Sequence, residues 1–107
     1  MDKRHPIPAN FTPRSHVRLS GIVKARGNAE FAPLTRQKVC RVELEVGDLD
    51  VNVMACGELA DKLACLLSGS LVRITGPLNI LRWETGDGTI HERVGVSVEE
   101  LHVEQQT

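Results

Sequence analysis

The stretch 57-GELADKLACLLSGSLVRITGPLNILRW-83 decides how this chain folds. Its first half has helical spacing. Leu59, Leu63, Leu66 and Leu67 recur every three to four residues, and Glu58, Asp61 and Lys62 fall elsewhere around the turn. Gly69 is placed to cap the helix, because glycine enters the left-handed conformation of a helix end without steric cost. The period then switches to two. Val72, Ile74, Gly76, Leu78 and Ile80 share one face, which predicts a barrel interior. Arg73, Thr75, Asn79, Leu81 and Trp83 share the other, which puts Trp83 outside, near the turn at Gly86-Asp87-Gly88.

Working outward, the remaining runs also alternate. Residues 16–26 (HVRLSGIVKAR) read as a strand with Val17, Leu19 and Gly21 on one side. Residues 27–37 form a loop with a short extended piece around Phe31. Residues 38–46 and 49–56 flank the tight-turn signal Gly47-Asp48 and make a hairpin, and a shift near Cys40-Arg41 suits a bulge. Residues 89–103 form the last strand, with Val94, Val96 and Val98 on one face and a slip at Glu99-Glu100. The order is β-β-β-α-β-β. Long strands, glycines where a small barrel must bend and one helix between the third and fourth strands fit an all-β OB-fold, a five-stranded Greek-key barrel. This domain spans residues 16–104. Residues 1–15, with Pro6, Pro8 and Pro13, read as a flexible arm, and 105–107 as a short end.

Composition narrows the function. The chain has 107 residues, 41% apolar but only 3% aromatic, so the core must be aliphatic. No apolar run approaches the roughly 20 residues of a membrane span, and the region before His16 lacks a signal-peptide core, so a soluble cytoplasmic protein is expected. Cys40, Cys56 and Cys65 are odd in number and lack C-x-x-C spacing, which argues against a metal or disulfide framework. Cys56 and Cys65 read as small apolar fillers. His5, His16, His91 and His102 are scattered, and no nucleophile has a base at working spacing, so neither catalysis nor a cofactor is expected. Charge is asymmetric. Residues 1–41 hold nine basic and two acidic residues, a balance of +7, and residues 42–107 hold four and twelve, a balance of −8. Such a split fits either a polyanion-binding half or charged, solvated edges.

The quoted block resembles the bacterial single-stranded DNA-binding protein family. The resemblance rests on the turn Gly57-Glu58-Leu59-Ala60 into a helix, the closing Gly69-Ser70, the run Val72, Ile74, Gly76 and Leu78, and the pair Arg82-Trp83. The stretch 18-RLSGIV-23 resembles the family's first strand. The shortness of the chain is similar to the primosomal replication protein N branch, and with only Glu104-Gln105-Gln106-Thr107 after the last strand the acidic partner-recruiting tail of the longer members is not expected. The resemblance implies an OB-fold that binds single-stranded DNA, works with replication or restart proteins, and assembles as a homodimer or tetramer.

It also implies that Trp83 stacks on a base, while Arg82 and Arg73 hold phosphates. The rival reading packs Trp83 against the arm or a second subunit. In an OB-fold the first three strands carry the ligand face. Arg18, Lys24, Arg26, Arg36, Lys38 and Arg41 fall there, and Arg93 joins them from the last strand. Where the family carries further aromatics, this chain has Asp50 and Cys56, so binding is expected to be more electrostatic, with Asp50 repelling phosphate. A second functional class stays open: a protein-interaction module that uses Trp83 and an acidic flank of Glu84, Asp87 and Glu92.

Overall fold

The alternating runs close into one barrel in the computed structural model, which describes residues 16–31 and 36–106. The expected arm, residues 1–15, lies outside the described residues. The elements are β1 (His16–Val23), β2 (Glu30–Phe31), β3 (Lys38–Val46), β4 (Leu49–Cys56), α1 (Glu58–Ala64), β5 (Leu71–Glu84), β6 (Ile90–Ser97) and β7 (Glu100–Gln105). Around the ring, β1 pairs β3, β3 pairs β4, β4 pairs β6, β6 pairs β5, and β5 returns to β1. All these pairs are antiparallel except β4–β6. This is the OB-fold that the order of elements predicts.

The core is aliphatic. Val23, Val42, Leu44, Val53, Val72, Ile74 and Val96 fill the barrel, and α1 adds Ala60 and Leu63 from its position against β3 and β4. Cys40 is the cysteine used as core filler. Cys56 and Cys65, expected in that role, are exposed. Burial raises the Cys40 thiol pKa above its ordinary value, so it stays protonated.

Four local expectations are corrected. The helix ends at Ala64, well before Gly69, because the amide of Cys65 is shared between the carbonyls of Asp61 and Lys62 at 3.1 and 3.3 Å, which tightens the last turn. Leu66 stays buried in the following turn and Leu67 is exposed. Gly69, at φ 94°, instead starts the approach to β5, donating its N–H to the Val23 carbonyl at 2.8 Å. No bulge occurs at Cys40-Arg41. Pairing runs unbroken from Val39↔Cys56 to Val46↔Leu49, with Cys40, Val42 and Leu44 inward. Leu78, Ile80 and Val94 keep the inward parity but lie beyond the barrel and are exposed. Leu81, on the opposite face, is the buried one, packed over Gly95.

The last strand breaks where the sequence slips, and the hydrogen bonds give the reason. The Val98 amide donates to Met54 of β4, and the next amide, Glu99, donates to Thr75 of β5, each at 2.8 Å. The chain thus changes neighbours within one residue. It passes so close to β5 that a Cβ on Gly76 would lie 1.8 Å from the Ser97 carbonyl oxygen. Gly76→Ala is therefore expected to cost about 2–4 kcal/mol, since backbone must move. Gly86→Ala, with open space around it, is expected to stay within about 0.5 kcal/mol of wild type. Urea unfolding of the two variants checks the contrast.

Candidate nucleic-acid interface

The outer half of β5 pairs only with β6, so the two strands leave the barrel as a hairpin. Register sets its faces: Asn79↔Gly95, Leu81↔Arg93 and Trp83↔His91 fall on one side, and Leu78↔Val96, Ile80↔Val94 and Arg82↔Glu92 on the other. The Trp83 side bends over the outer face of β3. A groove of about 790 Å³ lies there. Arg26, Gly27 and Asn28, with Glu30 and Phe31 of β2, line one wall. Arg82, Trp83, Glu84 and Thr85 line the other, and Val39, Arg41 and Met54 lie between.

Trp83 is half-buried rather than fully exposed. The imidazole of His91 stacks beside it, ring centroids 5.4 Å apart and planes 14° apart. The Arg41 guanidinium lies over the indole, 4.1 Å from its centroid. Such a contact is worth about 0.5–1 kcal/mol at an exposed site. Arg41 also donates to Asn52 Oδ1 at 2.8 Å, which fixes the guanidinium on the ring. The groove thus holds an aromatic surface with a cation already seated on it.

The other candidate cations divide. Arg26 lines the groove and donates from Nε to the Ala64 carbonyl at 3.2 Å. Lys38 sits 5.7 Å from the Phe31 ring centroid and 3.0 Å from Asp61. Arg82 borders the groove with its guanidinium on Glu92 at 2.6 Å. Lys24 is held by Asp50 at 2.9 Å and Glu43 at 3.3 Å, and those hydrogen bonds, Asp50 first, raise its pKa. Asp50 is thus matched by a lysine. Arg93 is exposed and donates to the Glu92 carbonyl at 2.7 Å, and Arg36 is exposed at φ 56°. Arg18 and Arg73 fall away from the groove, in a small pocket of about 180 Å³ with Thr75, Glu100 and His102. Arg73 pairs there with Glu104 at 2.9 Å.

The acidic flank proposed for a protein partner is largely used internally. Glu92 holds Arg82. Asp87 accepts from the Thr85 hydroxyl at 2.6 Å and the Thr89 amide at 3.0 Å, closing the turn. Two residues that hold the groove's Trp83 and Arg41 in place escaped the sequence reading. His91 was legible in principle, because a hairpin centred on Asp87 pairs it with Trp83. Asn52 was not, since nothing local says that its amide holds Arg41. Among the described residues no cluster of three or more metal-ligating side chains occurs, and no helix is long and apolar enough to cross a membrane.

No protein-family model and no curated protein matches this sequence. Solved structures do. The SSB domain of a protein from Synechococcus sp. superposes with a TM-score of 0.65 at 16% identity, covering 87% of this chain and 99% of that one. The single-stranded DNA binding protein of Thermus aquaticus superposes with a TM-score of 0.74 at 19% identity over 96% of this chain. This chain spans only 46% of the Thermus protein. At these identities the likeness is one of fold.

The turn supplies a pH test. The hydrogen bonds from Thr85 and then Thr89 hold the Asp87 carboxyl pKa down at about 2, against an ordinary 3.8. A depressed carboxylate stabilises the folded form above its unfolded value, and that contribution is lost as pH falls through the folded one. The hairpin tip is expected to hold above pH about 4 and to loosen between about 4 and 2. NMR titration of the Asp87 carboxyl and the Thr89 amide reads this directly, and Asp87→Asn should remove the transition.

Proposed function

We propose that this chain binds single-stranded DNA in the groove between the β2 connection and the β5–β6 hairpin, and serves DNA replication, replication restart or repair. The observation that carries the reading is the Arg41–Trp83 contact inside that groove. An indole takes the face of any unpaired base, worth roughly 1–3 kcal/mol per base, and a guanidinium beside it meets the adjoining phosphate. Duplex DNA hides its base faces, so such a site favours a single strand. The fold shared with the Synechococcus SSB domain and the Thermus aquaticus single-stranded DNA binding protein supports the same reading, as does the resemblance of residues 57–83 to that family.

Arg26, Arg41 and Lys38 are the cations we assign to the strand, with Trp83 stacking on a base. Arg18 and Arg73 form a separate pocket and lie off this path. Carboxylates offset Lys24, Lys38, Arg73 and Arg82, so the electrostatic contribution rests on few groups. The chemistry is recognition, with no bond made or broken.

Titration of Trp83 fluorescence with oligo-dT at several salt concentrations tests this. Quenching should weaken with salt at a log–log slope of about −2 for three phosphate contacts. Trp83→Ala, followed by anisotropy of labelled oligo-dT, should lower affinity roughly 10- to 100-fold. Arg26→Ala should reduce the slope by about 0.7, and Arg73→Ala should leave it unchanged. A folded protein that shows no binding at low salt would sink the reading and favour the protein-interaction module instead.

A further inference from the structure

The groove holds a side chain that a phosphate backbone should avoid. Glu30 of β2 lines the same wall as Arg26 and is exposed. Its register partner is Val39, so it shares the outer face of β3 with Val39 and Arg41. Burial is the first cause that raises the Cys40 thiol pKa; Arg41 then lowers it and Glu30 raises it, which sets both charges near one point of β3. Yet Glu30 makes no ion pair among the described residues, while Lys24, Lys38, Arg73 and Arg82 each meet a carboxylate. Neutral oxygens hold the arginines of the groove instead, the Ala64 carbonyl holding Arg26 at 3.2 Å and Asn52 Oδ1 holding Arg41 at 2.8 Å. Glu84, the other carboxylate of the lining, follows Trp83 directly, so strand alternation turns it toward the opposite face of the hairpin.

An ionised carboxylate only accepts hydrogen bonds. A DNA strand offers it few donors. Phosphate repels it, and deoxyribose within a strand carries no hydroxyl. The donors that remain are the N–H groups of unpaired bases. Guanine presents two of them side by side, N1–H and the N2 amino group, and they match the two oxygens of one carboxylate. Cytosine and adenine each present one amino group beside an acceptor. Thymine presents a single N3–H between two carbonyls. Base pairing occupies these edges in a duplex and leaves them open in a single strand.

We propose that Glu30 makes the groove selective for guanine in a single strand, its carboxylate accepting from N1–H and the N2 amino group of a base held beside Trp83. The proposal rests on the single-stranded DNA reading above and adds a choice of base to it. Glu30 lowers affinity for a strand without guanine, because it repels the passing phosphates. It raises affinity where a guanine meets it. Removing its charge therefore moves the two kinds of strand in opposite directions.

Anisotropy of labelled oligonucleotides at one low salt concentration tests it, with circular dichroism confirming that each variant of the full chain is folded. The ligands are oligo-dT, the same strand with single guanines set between thymines, that strand with hypoxanthine for guanine, and oligo-U. Hypoxanthine keeps N1–H and lacks the N2 amino group. Wild type should bind the guanine strand about 10-fold tighter than oligo-dT. Hypoxanthine should lose most of that gain. Glu30→Gln should bind oligo-dT about two- to fivefold tighter, since a charge that repels phosphate is gone. It should bind the guanine strand more weakly than wild type does. A carboxylate that only tunes the charge of the groove would shift every strand the same way. Equal affinity of wild type for the three DNA strands, or a guanine preference that survives in E30Q, would overturn the proposal. So would a loss of affinity in E30Q confined to oligo-U, which would assign the carboxylate to the ribose 2′-hydroxyl. Oligo-dT binding without a choice of base sinks this proposal alone. A folded wild type that binds no strand sinks the DNA-binding reading and this proposal with it.

Discussion

One close approach governs this fold: the backbone of Ser97–Glu99 crossing β5 at Gly76. Two successive amides there, of Val98 and Glu99, bond to two different strands. That single step joins the parallel β4–β6 pair to the antiparallel β5–β7 pair and closes the barrel. It demands a residue without a side chain on β5, since any Cβ would strike the Ser97 carbonyl. The inner half of β5 is then saturated, flanked by β1 and β7. Its outer half has β6 alone and extends past the barrel. The hairpin, and everything on its two faces, follows from where that crossing falls.

The hairpin's two faces receive opposite treatment. On the groove side, Leu81 packs over Gly95 and anchors the ribbon, and Trp83 has the His91 ring stacked beside it and the Arg41 guanidinium over it. Asn52 and the indole order Arg41, so its guanidinium has little side-chain entropy left to lose. The other side keeps the inward parity of the barrel wall after the barrel has ended, and so presents aliphatic side chains to solvent. One sequence pattern, a strand alternating without interruption through residues 71–84, thus yields core at Val72 and Ile74 and surface at Leu78 and Ile80.

That contrast marks what the sequence could convey. Element order, the single helix, the two hairpins and the slip at Glu99-Glu100 were legible, because each rests on local periodicity or turn chemistry. Where the barrel stops was not. Alternation tells which residues share a face and is silent on how far the covering strands reach, so Leu78 and Ile80 read as interior. The helix was overextended for a similar reason: Leu66 is indeed buried, but from the turn beyond the helix. At the groove, Trp83 and Arg41 stood out by type. Yet charge counting could not separate Arg41, which faces the ring, from Lys24, which is committed to Asp50 and Glu43. Pairing of that kind arises between strands far apart in sequence.

The neutralised lysines and arginines bear on what charge the barrel surface presents. A balance of +7 over residues 1–41 suggests a strongly cationic half. Folding brings acids from the other half against it: Glu43 and Asp50 to Lys24, Asp61 to Lys38. These exposed pairs add little stability, since screening by water and the entropy of long side chains leave each worth about 0–1 kcal/mol. Their larger effect is to flatten the surface potential outside the groove. Of the three arginines that line the groove, Arg82 is held by Glu92, whereas Arg26 and Arg41 carry no carboxylate partner among the described residues. In a chain with 3% aromatic residues, the groove lining holds two rings, Trp83 and Phe31, so contrast in charge has to carry much of any selectivity for it.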